Sequence, residues 1–185
     1  RELLAKGQTD TVDTYLARLV DATQEAHTDA REYILGVRTG IPSEHGFPAA
    51  LEQYLQRFGQ RYGIGTELII PEPKALAEMS LDPTVEIQLL RIVQEALANV
   101  RKHAAATSVR VRFAMDGDHA LVVIEDNGRG FDPALLPGGD AQTFGLGIMR
   151  ERAEEIEGNL EVLSAPGQGT RITVRVPLQN GKDSR

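Results

Sequence analysis

The chain contains no cysteine. That excludes a disulfide framework, a thiolate nucleophile and every zinc-finger pattern, and it is compatible with a reducing compartment. Long apolar runs are also missing. None approaches the ~18 residues of a membrane-spanning helix, and the N-terminus has no signal-peptide plan. There is no initiator methionine: the chain opens on "RELLAK", already in a helical pattern, and reads as a fragment of a longer protein. A basic excess is absent too. The net charge of -7 argues against a nucleic-acid footprint. No internal repeat of about 20–50 residues occurs. No G-x-x-x-x-G-K-[ST] P-loop is present, and no G-x-G-x-x-G follows a first strand, so P-loop and Rossmann nucleotide sites are excluded.

Hydrophobic residues make up 41% of the 185, enough for a real core. Residues 10–38 carry a heptad stripe: Val12, Leu16, Leu19, Thr23, Ala26, Ala30, Tyr33 and Val37 are spaced alternately four and three apart. That predicts a helix of a coiled coil or bundle, the other reading being a lone amphipathic helix packed on its own domain. Phe47, Leu51, Tyr54, Leu55, Phe58 and Tyr62 mark a second helix after a Gly- and Pro-containing connector. "GTELII" is a short strand ended by prolines. A long helix is predicted from Asp82, a good N-cap with Pro83 behind it, to about Ala104.

Val109, Val111, Phe113 and Met115 alternate as a strand, "MDGDH" turns, and "ALVVIED" returns. A glycine-rich stretch then runs to Gly147. Met149, Ala153 and Ile156 mark a short helix stopped by Gly158, and "NLEVLSAPGQGTRITVRVP" is a second hairpin. The expected fold is α+β: a two-layer α/β sandwich with helices on one face of a mixed, mostly antiparallel sheet. The expected domains are a bundle helix over 1–40, a globular domain over 41–178 and a polar tail over 179–185.

Candidate chemistry gathers in three places. On the long helix, at about 100° per residue, Val85, Leu89, Ile92, Val93, Ala96 and Val100 form one apolar sector. Glu95, Asn99, Lys102 and His103 fall on its flank, where a pocket would open between helix and sheet. Asparagine is a poor mid-helix residue without a role, and its carbonyl oxygen suits Mg²⁺. Glu95 is placed to orient or deprotonate a nucleophile. Taken singly, each of the four fits a solvated helix edge.

The second place is "EDNGRGFD": an apolar strand stops at two acids, which reads either as a plain turn or as Asp126 aimed into a pocket. Third, "FGLGIMRERAEEI" places Gly145, Leu146 and Gly147 at the expected start of a helix, where free N–H groups suit phosphate. Between these two, "FDPALLPGGDAQT" has the composition of a mobile flap.

"QEALANVRKHA", "EDNGRGFD", "FGLGIMRERAEEIEG" and "GQGTRITVRVP", in this order and spacing, resemble the nucleotide-binding motifs of the GHKL (Bergerat-fold) ATPase superfamily. Within it they are most similar to the catalytic domain of bacterial sensor histidine kinases of the NarL/DesK type. The resemblance is strong over residues 82–178 and looser over 10–70.

It implies ATP and Mg²⁺ as cofactors. Asn99 would bind the metal, with Glu95 at the γ-phosphate. Lys102 and His103 would approach the phosphates, and Asp126 would accept from the adenine amino group. Gly128 and Gly130 would curve the backbone around the base, Gly145, Leu146 and Gly147 would hold phosphate, and Thr170 would support Asp126. It further implies a cytoplasmic location, a homodimer through the helical region of the full-length protein, and a response regulator as partner.

One departure stands out. The family's phosphoacceptor, a histidine followed at once by an acid, is missing: His27 on the heptad helix is followed by Thr28. His45 and His119 fall in a connector and a turn. The acceptor is therefore expected outside this fragment. Other readings of the motifs are a GHKL serine kinase of the anti-sigma type, against which the heptad helix argues, and an ATP-sensing module without catalysis.

Overall fold

The computed structural model describes residues 46–71, 81–133 and 141–178. The heptad helix with His27, the connector with His45, Gly138, Gly139 and the tail over 179–185 lie outside the described residues.

Helix α1 (Gly46–Tyr62) buries Phe47, Leu51, Leu55 and Phe58, the helical stripe expected of it. Strand β1 (Gly65–Ile69) follows. Helix α2 runs from Pro83 to Asn99, and the Asp82 carboxylate accepts from the Thr84 amide at 2.7 Å, the capping contact its sequence predicts. The helix continues from Val100 to Ala104 as one wider π turn, closed by Ala105 in the left-handed region at φ 50. Single π turns of this kind concentrate at functional sites.

Strands β2 (Ser108–Asp116) and β3 (His119–Asp126) form the first hairpin, turning through Gly117 at φ 64. Helix α3 (Ala141–Glu154) leads to the second hairpin, β4 (Asn159–Ser164) and β5 (Thr170–Pro177).

The sheet order is β1-β2-β3-β5-β4, with β1 parallel to β2 and every other pair antiparallel. Strand alternation assigns its faces. Val109, Val111 and Phe113, then Val122 and Ile124, then Ile172, Val174 and Val176 are buried and join α1, α2 and α3 in one core. Phe47 of α1 meets Phe113 of β2 edge-on, centroids 4.9 Å apart. The six apolar residues of α2 named from periodicity are all buried, joined by Leu90 and Leu97. The sheet's other face carries charge. Glu125, which reads from sequence as an exposed acid without a role, is paired with Arg171, its register partner on β5.

Two local expectations are corrected. Helix α3 starts at Ala141, so Gly145, Leu146 and Gly147 sit in its second turn and not at its start. The left-handed residue that ends it is Glu157 at φ 56, and Gly158 donates its amide back to the Ala153 carbonyl at 2.8 Å. Among the described residues no helix is long and apolar enough to cross a membrane.

Candidate functional site

A cavity of about 180 Å³ opens between the C-terminal end of α2 and the adjoining end of the sheet. Ala96, Val100, Ala104, Ile124, Leu146 and Ile172 supply its apolar walls. Its polar side chains are Asn99, His103, Asp126, Arg129 and Thr170, with Gly130 and Phe131 completing the lining. Mostly apolar walls with a few converging polar groups are the usual make-up of a small-molecule site.

Asp126 is the last residue of β3, and strand parity turns it to the helix-facing side with Val122 and Ile124. One carboxylate oxygen accepts from the Gly128 amide at 2.7 Å. Burial pushes the carboxyl above its ordinary range, while hydrogen bonding from Gly128 and from the Thr170 amide and hydroxyl pulls it back. A half-buried acid with a perturbed equilibrium in a cavity marks a functional site. Asp126 thus both closes the turn through Gly128 and lines the cavity.

The loop after Asp126 is fixed by backbone proximity. Asn127 Oδ1 accepts from the Thr107 and Ser108 amides, both at 3.0 Å, and its Nδ2 donates to Thr107 Oγ1 at 2.8 Å. A β-carbon on Gly128 would strike the Ala104 carbonyl, at the point where the Arg129 amide donates to that same oxygen at 2.8 Å. Gly130, at φ 58, passes directly against the Ala165 carbonyl, and Gly169, at φ 70, against the Asp126 carbonyl. The glycines thus lock the loop to the end of α2 and to the β4–β5 turn.

Asn99 sits on the last turn of α2 before the π segment. Its Nδ2 is buried without a hydrogen-bond partner, the one such side-chain atom among the described residues. A buried amide without a protein partner is uncommon and marks Asn99 as a candidate binding group. The two ends of a carboxamide exchange by rotation, so the group offers an acceptor to a hard cation or a donor to a phosphate oxygen. Among the described residues no cluster of three or more His, Asp or Glu is placed to hold a metal by itself.

The cavity unites only part of the expected set: Asn99, His103, Asp126, Gly130, Leu146 and Thr170. Glu95 lies outside its lining, one turn from Asn99 on the same helix face and directly under Gly145. Lys102 is exposed and does not line it. Gly128, Gly145 and Gly147 do not line it either; Gly147 has open space around it.

Sequence reasoning missed Arg129, Phe131 and Ser164. The Ser164 hydroxyl accepts from the Phe131 amide at 3.0 Å and lies 2.9 Å from the Gly169 carbonyl and 3.1 Å from Thr170 Oγ1. The available signal was alternation: Ser164 occupies the inward parity of β4, after Leu160 and Val162.

Comparison with known proteins identifies the family and the fold. The family model described as histidine kinase-, DNA gyrase B-, and HSP90-like ATPase matches residues 84–180. The sensor histidine kinase LiaS of Bacillus subtilis is 34% identical over 87% of this chain and 43% of its own length. The signal transduction histidine-protein kinase/phosphatase DegS of Brevibacillus brevis is 34% identical over 81% of this chain and 37% of its own. The chain thus spans less than half the length of these relatives. In fold it resembles the histidine kinase domain of the Erythrobacter litoralis EL346 blue-light activated histidine kinase, with a TM-score of 0.56, 21% identity, and 71% and 61% of the two chains covered. The Acinetobacter baumannii histidine kinase AdeS gives a TM-score of 0.54 at 12% identity, over 69% and 61%. The chain belongs to the family of histidine kinase-, DNA gyrase B- and HSP90-like ATPases, with sensor histidine kinases among its homologues.

Proposed function

We propose that this chain is the nucleotide-handling part of a sensor histidine kinase and delivers the γ-phosphoryl group of ATP to a histidine on a dimerisation helix outside this chain. One observation carries the reading. A single cavity is lined by Asp126, a half-buried carboxylate with one oxygen already bonded, and by Asn99, whose buried amide nitrogen lacks a partner.

Asp126 accepts from the exocyclic amino group of adenine on a carboxylate lone pair that the Gly128 and Thr170 donors leave open. Ile124, Ile172 and Val100 enclose the base and exclude water. Asn99 and His103 face the phosphates, and Lys102 joins them from the exposed side of the same turn. The residues present fit a Mg²⁺ ion held through Asn99 and the phosphates; when bound, it neutralises charge developing on the transferred group. Glu95 orients or deprotonates the incoming imidazole, the acceptor being a nitrogen nucleophile. Leu146 contributes an apolar wall, and Gly145 and Gly147 beside it keep that turn of α3 bare of side chains where the phosphates leave the cavity.

In the same reading, residues 1–40 are the second dimerisation helix, 41–178 the ATP-binding domain and 179–185 a polar tail. The full-length protein is a homodimer, acts in the cytoplasm and passes its phosphoryl group to a response regulator. Incubation with γ-labelled ATP tests this. The chain alone should bind Mg-ATP and take up no label, whereas a longer form carrying the acceptor helix should gain acid-labile label. Label on the chain alone that disappears in His27→Gln would contradict the placement of the acceptor.

A further inference from the structure

Four residues lie side by side in one cross-strand row at the cavity end of the sheet. Val109 pairs with Asp126, Asp126 with Thr170, and Thr170 with Ser164. All four turn to the helix side by strand parity, so three polar groups stand in line across β3, β5 and β4. The neighbouring row on that face is Val111, Ile124, Ile172 and Val162, entirely apolar. A polar row beside an apolar one has to satisfy itself internally.

Proton accounting gives the row a direction. Ser164 Oγ accepts from the Phe131 amide at 3.0 Å, and its single proton has two available acceptors: the Gly169 carbonyl at 2.9 Å and Thr170 Oγ1 at 3.1 Å. Thr170 also has one proton, with Ser164 and the Asp126 carboxylate as its choices. An ionised carboxylate is the stronger acceptor. With Asp126 charged, the Thr170 proton goes to Asp126, while the Ser164 proton lies between the Gly169 carbonyl and Thr170 Oγ1, so the row runs from the Phe131 amide through Ser164 and Thr170 to Asp126 with Gly169 as a second acceptor at Ser164. Each bond in such a chain polarises the next.

We propose that Ser164, two strands away from Asp126 and outside the cavity lining, is a positioning residue for base recognition: through Thr170 it holds the Asp126 carboxylate in the orientation that accepts the 6-amino group of a purine. The inference rests on the reading of Asp126 as the adenine acceptor. It adds that the selectivity of that carboxylate is set by a hydroxyl row anchored on the Phe131 amide.

The test compares ATP with purine riboside 5′-triphosphate, which lacks the 6-amino group, by titration calorimetry on the full chain with Mg²⁺. Ser164→Ala should weaken ATP about five- to tenfold, the worth of one neutral hydrogen bond, and leave the purine riboside nucleotide within about twofold. Ser164→Thr keeps the hydroxyl and should retain the wild-type ratio of the two affinities. Equal weakening of both nucleotides by Ser164→Ala, or no weakening of either, overturns the proposal, as does a collapsed ratio in a folded Ser164→Thr. Asp126→Asn separates this from the reading beneath it. If Asp126→Asn keeps the preference for ATP, the adenine assignment itself fails. If it loses the preference while Ser164→Ala keeps it, only the role of Ser164 fails.

Discussion

Gly145 of α3 stands so close to Glu95 of α2 that any β-carbon there would run into the Glu95 carboxylate, with Asn99 Nδ2 next at 3.5 Å. The glycine at this position therefore allows α3 to seat on the polar flank of α2. Gly147, two residues on, meets nothing within 4 Å. Different outcomes follow for the same substitution. Gly147→Ala should stabilise by up to about 1 kcal/mol, since a helical glycine gains that much on becoming alanine. Gly145→Ala should gain less, because the flexible Glu95 side chain has to swing aside and its carboxylate leaves its place beside Asn99. Urea denaturation reads both. Adding Glu95→Ala to Gly145→Ala should restore part of the difference, because the two residues compete for one space.

Asn127 belongs to the loop's framework. It holds the Thr107 and Ser108 amides and the Thr107 hydroxyl. Asn127→Ala should cost about 0.5–1.5 kcal/mol of stability, since water can reach the exposed donors it releases, and should reduce ATP affinity far less than a change at Asp126. A melting curve together with a nucleotide titration on the same protein separates the two effects.

Asp126 also predicts a pH dependence of binding. Burial, the largest influence on it, raises its carboxyl above the ordinary 3.8. The adenine amino group needs the ionised form as acceptor. ATP affinity should therefore fall on acidification in a step lying above the ordinary aspartate range, and that step should be absent from Asp126→Asn. Titration of the nucleotide itself affects both proteins alike, so the difference between their profiles isolates the residue. Identical profiles would contradict the assignment.

Glu86 gives a stability prediction of defined sign. It accepts from the Phe47 amide at 3.2 Å, joining the first turns of α1 and α2, and burial outweighs that bond in raising its carboxyl above 4.5. A raised value in the folded state means a contribution that is fully present at low pH and lost as pH climbs through the raised value. Glu86→Gln keeps an acceptor and cannot ionise. Its stability relative to the parent should therefore rise between about pH 4 and neutrality, measured by denaturation at a series of pH values.

How much was legible before any coordinates depends on the kind of signal. Periodicity located α1, α2 and β2, while prolines and turn residues bounded the other strands, and the burial of Val85 through Val100 follows the predicted sector. Asn99 stood out by its place on the helix flank, Asp126 by the abrupt end of its strand and Thr170 through the family resemblance, and the three line one cavity. The start of α3 was not, because glycines inside a helix look like a loop in sequence. Ser164 was passed over because a serine beside a proline-glycine turn reads as part of the turn. Only the strand register reveals that it faces inward beside Thr170. Glu125 gained a partner for the same reason: its pairing with Arg171 is a cross-strand relation with no local trace.

The central claim is that Asp126 reads adenine in this cavity. One carboxylate oxygen is occupied by the Gly128 amide. In Asp126→Asn the carbonyl would take that bond and the amide nitrogen would turn a donor toward the amino group of the base. Calorimetric titration of Mg-ATP into the two proteins, with melting curves to show that both are folded, is the direct test. The account predicts measurable binding by the parent chain and a loss of about tenfold or more in Asp126→Asn, as expected for removing a bond to a charged acceptor. Equal affinity in the two folded proteins would contradict it.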